Sequence, residues 1–164
     1  MSTDLNISFT ELLAWNDETA RNWKSHLEAN PALLEVACDI GNTGSVHGFV
    51  RHIWGVELRW AKRFADGDLK ELPNGPVESL FAMHEEASEL YRQAIAGPAE
   101  AWAEPYVLNA DWIPEDKRRL SRRKIVAHAL LHSQRHYAQL ATLARVAGFP
   151  TQFRGDLILS SSLT

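Results

Sequence analysis

The 164-residue chain, 45% of it hydrophobic, has the size and apolar content of one compact domain, which we expect to span residues 1–164. Its net charge of −4 argues against nucleic acid or a membrane surface as a partner, and its single cysteine, Cys38, excludes an intramolecular disulfide and a cysteine-rich zinc site. Without a signal-like N-terminus or a window approaching the roughly 20 apolar residues of a membrane span, the chain is expected to be cytoplasmic.

Two amphipathic helices are predicted in the first half of the chain. The first opens with a capping box, "SFTE", with Ser8 at the N-cap and Glu11 at position N3, and is expected to end at Asn30. The second is expected to begin near residues 43–45 and to end at residues 66–68. Apolar side chains at spacings of three and four mark the buried faces, namely Phe9, Leu12, Leu13, Ala20, Trp23 and Leu27 in the first helix and Phe49, Ile53, Val56, Trp60 and Phe64 in the second.

Two further helices are predicted in the second half. The third opens with Pro76 in its first turn and ends at Gly97, and the fourth begins after Ser121 as N-cap and ends at Gly148. The third helix directs five apolar side chains inward, Leu80, Phe81, Ala87, Tyr91 and Ile95. Residues 97–120 form a connection longer than most loops, in which a short hairpin or an ordered lid would fit.

This pattern predicts an all-α protein. No stretch of strict alternation is long enough to make a sheet, and four amphipathic helices in a chain of this length most economically form a four-helix bundle. The long connection between the third and fourth helices permits a non-sequential order of the helices.

Two histidines interrupt the apolar stripe of the fourth helix. His132 and His136 are four residues apart, which turns their directions by only about 40°, so both are expected to be buried on one face. In the second helix, His52 lies on the inward stripe between Phe49 and Val56. Each neutral imidazole offers one hydrogen-bond donor and one acceptor, so three converging rings can hardly provide partners for all of their nitrogen atoms by bonding to one another. A divalent metal ion would accept a lone pair from each ring.

Other interpretations of these histidines must be weighed. A single inward histidine is more often a satisfied core residue than a ligand, and only the pair at i and i+4 together with a histidine on another helix favours a metal site. A di-iron bundle would need Glu-x-x-His pairs, but none of the seven histidines has a glutamate three residues before it. The zincin pattern and phosphate-binding glycine loops are also missing.

The segments "FVRHIWGVELRW" (residues 49–60) and "HALLHSQRHYAQLATLARVAGFP" (residues 128–150) resemble the DinB/YfiT-like superfamily of metalloenzymes. The resemblance implies a four-helix bundle in which a histidine of the second helix and an H-x-x-x-H pair of the fourth bind one metal ion. Carried over to this chain, the ligands are His52, His132 and His136. Many members follow the last histidine with Arg-Gly-Gln, whereas this chain has "YAQ", which keeps Gln139.

The resemblance also implies a function. Three nitrogen ligands leave a coordination position for water or substrate, as in catalytic zinc sites. Some DinB-like proteins are S-transferases that use low-molecular-weight thiols such as bacillithiol or mycothiol, so we expect a metal-bound thiolate to attack an electrophile. The alternatives are a hydrolase that uses metal-bound water, and a non-catalytic metal-binding stress or interaction protein.

Imidazole suits Zn, Ni, Cu and Fe, of which we expect Zn or Ni. A homodimer is expected from the resemblance alone.

The remaining histidines and a basic cluster complete the predictions. His128 is expected to support the site or to displace His136 as a ligand, His47 to lie on the surface of a first turn, and His26 and His84 to be solvated. Six of the ten residues 115–124 are basic. This basic cluster would either receive the carboxylates or phosphates of an anionic cosubstrate or form a solvated, ion-paired face.

Overall fold

In the computed structural model, residues 7–65, 71–108 and 113–162 are described. They are mostly helical, which confirms the all-α class. Five helices are present in this part of the chain: α1 (Phe9–Ala29), α2 (Val46–Ala65), α3 (Val77–Ala96), α4 (Glu100–Ala103) and α5 (Arg122–Val146). None of the described helices combines the length and the apolar composition that crossing a membrane requires.

The predicted helix ends agree with local hydrogen bonding. Ser8 caps α1 by accepting the backbone N–H of Glu11 at 3.2 Å, and the Glu11 carboxylate accepts the backbone N–H of Ser8 at 2.7 Å, which completes the capping box. Ser121 caps α5 in the same way by accepting the backbone N–H of Lys124. Pro76 is the N-cap of α3, and Gly148 follows α5 with a φ of 89° that favours glycine.

Two short antiparallel ribbons join the helices. β1 (Ala37–Cys38) pairs with β2 (Gly44–Ser45) before α2, and β3 (Pro105–Val107) pairs with β4 (Arg119–Ser121) before α5. The second ribbon lies within the predicted connection, so the described part of that connection is locally ordered by α4 and by backbone pairing.

The four long helices share one hydrophobic core. α2 packs against α3 and α5, and α1 packs against the same two helices. The largest fully buried side chains include Trp23 from α1, Phe49 and Trp54 from α2, Tyr91 from α3 and Ile125 from α5. The expected inward side chain of Phe64 and the expected end of the second helix at residues 66–68 lie outside the described residues.

Candidate metal centre

Three histidines from two helices converge at one point. His52 comes from α2, and His132 and His136 come from successive turns of α5. One ring nitrogen from each of them lies within 4.8 Å of the others. The Nε2 atoms of His132 and His136 are 3.0 Å apart. The centroid of the His52 ring lies 5.3 Å from that of His132 and 5.2 Å from that of His136. The structure therefore places together the three residues predicted to be ligands.

The ring of His136 is held from two sides. The fully buried Phe49 contacts it edge-on with ring centroids 5.1 Å apart. Nδ1 of His136 lies 2.6 Å from the side-chain oxygen of Gln139, which can only accept, so Nδ1 carries the proton. The lone pair of His136 is then on Nε2, the atom that faces His132.

His132 contains a buried polar atom with no partner. Its Nδ1 has no hydrogen bond with any described residue, although it is screened from solvent. A buried polar atom without a partner costs about 1–3 kcal/mol, and such atoms are found where a group has a functional role.

All three rings favour the neutral state. Burial, followed by the charges of the neighbouring histidines and of Arg135, lowers the pKa of His132 to about 3. Burial also lowers the pKa of His52 and of His136 below the ordinary histidine value; the hydrogen bond to Gln139 opposes this only partly for His136. Neutral imidazole is the form that ligates a metal, because its lone pair is available.

These residues fit a divalent cation. Two ligands of a tetrahedral zinc ion with bonds near 2.05 Å stand about 3.3 Å apart, which is close to the separation of the two Nε2 atoms on α5. No aspartate or glutamate joins the three histidines in a ligand group within the described ranges. The site thus offers three neutral nitrogen donors, a set that suits zinc and nickel.

The comparison with known families agrees with this geometry. The model of the DinB family matches residues 1–153. The chain belongs to the DinB family. No curated protein and no solved structure matches the chain. The DinB match therefore shows the family, and the histidine triad of this DinB protein could hold a metal ion.

Two other histidines of α2 and α5 do not join the triad. His47 of this DinB protein lies on the first turn of α2, where its Nε2 is 2.7 Å from the carbonyl oxygen of Gly75, away from the triad as expected. His128 is exposed and stands one turn before His132, with ring centroids 5.8 Å apart. It does not displace His136 from the group of three.

The expectation that His26 and His84 are solvated is wrong. His26 is half-buried, because its ring packs edge-on against Trp23 and its Nε2 lies 3.1 Å from the carbonyl oxygen of Phe149. His84 is only 3% exposed and lies between two carboxylates. Its Nδ1 is 2.6 Å from Glu57, and its Nε2 is 3.3 Å from Asp17.

His84 belongs to a buried polar network that spans the four long helices. Asn16 of α1 donates to Glu57 of α2 at 2.8 Å and accepts from Gln134 of α5 at 3.0 Å. Asp17 accepts from Ser88 of α3 and from Arg92, each at 2.6 Å. The network holds two carboxylates, one guanidinium and one histidine, so a protonated His84 makes it neutral overall.

The sequence carries a signal for this network in the positions of Glu57 and His84. Glu57 lies four residues after Ile53 and three before Trp60, both inward positions of α2. His84 lies three residues after Phe81 and seven before Tyr91, which places it on the inward stripe of α3. Polar residues at stripe positions indicate buried partners, although the partners themselves lie on other helices.

The Gln139 contact yields a first prediction. Gln139→Leu removes the acceptor that fixes the tautomer of His136, so we expect zinc affinity to fall about 10–100-fold. Competition with a chromophoric chelator measures the change. Gln93→Leu makes the same chemical change on the surface of α3, where Gln93 donates to Glu89, and should leave zinc affinity unchanged. Equal affinities of the two variants would show that Gln139 does not position the ligand.

The His84 network predicts that stability falls at alkaline pH. Burial by itself would lower the pKa of His84, but the charges and hydrogen bonds of Glu57 and Asp17 outweigh it and raise the pKa to about 9. The folded state therefore holds this proton more tightly than the unfolded chain. The contribution of this proton to the free energy of unfolding is complete below pH 6.5. As the pH rises through 9 this contribution is lost, which lowers the free energy of unfolding by up to about 3 kcal/mol.

Urea unfolding of the metal-free protein at pH 6.5 and at pH 9 measures this loss. His84→Gln should be less stable at pH 6.5 and should show a much smaller difference between the two pH values. An unchanged alkaline slope in His84→Gln would assign the loss to another group.

Proposed function

We propose that this DinB protein is a metal-dependent enzyme that transfers a low-molecular-weight thiol to an electrophile, built as a four-helix bundle. The observation that carries the proposal is the convergence of one nitrogen each from His52, His132 and His136 within 4.8 Å. Three protein donors leave at least one coordination position of a zinc or nickel ion for another ligand. When bound, the cation would supply a positive charge that favours the thiolate form of a thiol cosubstrate.

The side chains around the triad favour the same anionic form. Arg135 lies with a guanidinium nitrogen 3.4 Å from Nε2 of His136, and its charge lowers the pKa of the three triad histidines. Arg59 acts in the same direction on His52. Cations near a titrating thiol stabilise its thiolate, so these two arginines would raise the fraction of nucleophilic sulfur.

The transfer itself is a nucleophilic displacement. The thiol proton leaves to solvent, and the sulfur lone pair forms a bond to the electrophilic carbon. The bond from that carbon to its leaving group breaks, and the leaving group departs with the electron pair. The product is a thioether, with no net oxidation or reduction.

The composition of the site favours thiol transfer over the hydrolase alternative. A hydrolase of this kind commonly has a carboxylate or similar base that takes a proton from the attacking water. Among the described residues, no aspartate or glutamate joins the ligand group. A thiol needs no such base, because it loses its proton more readily than water does.

Turnover of chlorodinitrobenzene by the zinc- and nickel-loaded protein, with glutathione, bacillithiol and mycothiol in turn, tests the proposal. We expect at least one thiol to react faster with the metal-loaded protein than with the same protein after its metal has been removed. His52→Ala should abolish this acceleration. No acceleration with any thiol would overturn the enzyme proposal and leave the non-catalytic metal-binding alternative. Release of nitrophenol from an ester without thiol would favour the hydrolase.

We also propose a homodimer, which rests on the family resemblance. Exposed apolar side chains on α5, Leu131 at 59% and Val146 at 72%, are compatible with it. Sedimentation velocity should give a mass of twice 18.5 kDa. A monomer at micromolar concentration would overturn this proposal without affecting the metal site.

A further inference from the structure

A pocket adjoins the histidine triad on the side of His128. It has a volume of about 230 Å³, with Trp60 and Leu120 among its apolar lining residues and Lys117, Lys124 and His128 among its polar ones. The ring of His128 stands edge-on to Trp60 with centroids 5.7 Å apart and lies 5.8 Å from the ring of His132. A ligand in this pocket, here called the lysine pocket, would therefore reach towards the metal ligands.

The lysines of this pocket differ from most other cations of the basic cluster. Arg118 donates to the carbonyl oxygen of Ile113 at 2.8 Å, Arg122 lies 3.8 Å from Glu104, and Arg123 lies over the ring of Phe9. These three arginines have partners within the protein. In contrast, Lys117 and Lys124 form no ion pair with any residue in the described ranges, and both are exposed at the pocket.

Helix stability does not explain the position of Lys124. It lies in the first turn of α5, where a cation opposes the helix dipole by some tenths of a kcal/mol. Lys117 precedes the same helix end, so the two ammonium groups add positive charge where an anion would be favoured.

The surroundings of the triad also have an excess of positive charge. A guanidinium nitrogen of Arg135 lies 3.4 Å from Nε2 of His136, and among the described residues no aspartate or glutamate joins the triad in a ligand group. A divalent cation on three neutral ligands would add to this positive charge. An anionic ligand would compensate it, and a ligand with negative charge at both ends would also satisfy the two lysines.

We propose that the lysine pocket binds the carboxylate end of an anionic thiol whose sulfur lies at the triad. This inference rests on the proposed thiol transfer and adds a specificity to it: carboxylate-bearing thiols are selected over neutral ones. Lys117 and Lys124 contact the carboxylate, and the apolar face of Trp60 packs against the carbon chain between the two ends.

Direct binding to the zinc-loaded protein tests the proposal without any turnover. The probes are glutathione, N-acetylcysteine and mercaptosuccinate, each compared with its own methyl ester by titration calorimetry. We expect at least one acid to bind about tenfold more tightly than its ester, as two partly exposed ion pairs allow. Lys117→Gln with Lys124→Gln should remove this preference, and Lys117→Arg with Lys124→Arg should retain it.

Arg119→Gln with Arg122→Gln is the matched control, because it removes two charges of the same cluster outside the lysine pocket. It should keep the preference for the acid within about twofold. Equal binding of acids and esters to the unmodified protein, or a preference that survives Lys117→Gln with Lys124→Gln, would overturn the lysine pocket alone. If neither acids nor esters bind the zinc-loaded protein, the thiol-transfer proposal fails and this inference fails with it.

Discussion

His132→Leu is expected to abolish stoichiometric metal binding and, at the same time, to stabilise the metal-free protein. Loss of one of three nitrogen donors should weaken zinc binding by roughly a thousandfold, equivalent to about 4 kcal/mol. In the absence of metal, the substitution removes a ring whose buried Nδ1 lacks a partner among the described residues. A leucine of similar volume should therefore raise the free energy of unfolding by about 1 kcal/mol.

Opposite changes in metal binding and in stability distinguish a ligand from a packing residue. Elemental analysis after dialysis gives the metal content, and urea unfolding of the stripped protein gives the stability. His47→Leu is the matched control on α2, because His47 contacts the carbonyl oxygen of Gly75 instead of the triad. It should retain stoichiometric metal. If His132→Leu also retains it, the three-histidine ligand set is wrong.

Glu57→Gln is expected to destabilise the protein by about 3–5 kcal/mol. Glu57 is 1% exposed, and its carboxylate lies 2.6 Å from His84 and accepts from Asn16. Removing its charge leaves a buried imidazolium with Asp17 as its remaining carboxylate partner, and breaking a buried ion pair in this way costs far more than the pair contributes at a surface. Urea unfolding at pH 7 measures the loss.

The surface pair of Lys62 and Glu86 supplies the comparison. Their charged atoms are 2.5 Å apart, but half of the Glu86 side chain is exposed. Glu86→Gln should therefore cost about 0–1 kcal/mol. Similar losses for the two glutamate substitutions would mean that the buried network does not hold the helices together.

Local signals in the sequence predicted much of the fold. Three helix ends were predicted from local features, namely the capping box at Ser8, the N-cap at Ser121 and the glycine after α5, Gly148. These features act through hydrogen bonds within a few residues, so the sequence alone reveals them. The pairing of His132 with His136 is equally local, because helical periodicity alone puts both rings on one face. The burial of both rings was predicted less well, since His132 is only partly buried.

The sequence pattern does not predict which helices contact each other. Periodicity showed that His52 faces inward, but only the packing of α2 against α5 brings its ring within 5.3 Å of His132. The resemblance to the DinB/YfiT-like superfamily implies that contact, because it places a ligand on the second helix and two on the fourth. The resemblance implies nothing about the lysine pocket, whose side chains come from α2, from α5, from β4 and from the segment between β3 and β4.

The sequence by itself predicted the four long helices, the residues that cap α1 and α5, and the apolar face of each long helix, but not the short helix α4. Tertiary structure alone decided which polar groups on those faces meet. His84 shows the difference most clearly: the apolar pattern of α3 places it on the inward stripe, but its partners Glu57 and Asp17 come from α2 and α1. Its neighbours in the chain therefore do not reveal the two carboxylates that raise its pKa. The physical reason is that burial and charge depend on neighbours in space, whereas helix formation depends mainly on neighbours in sequence.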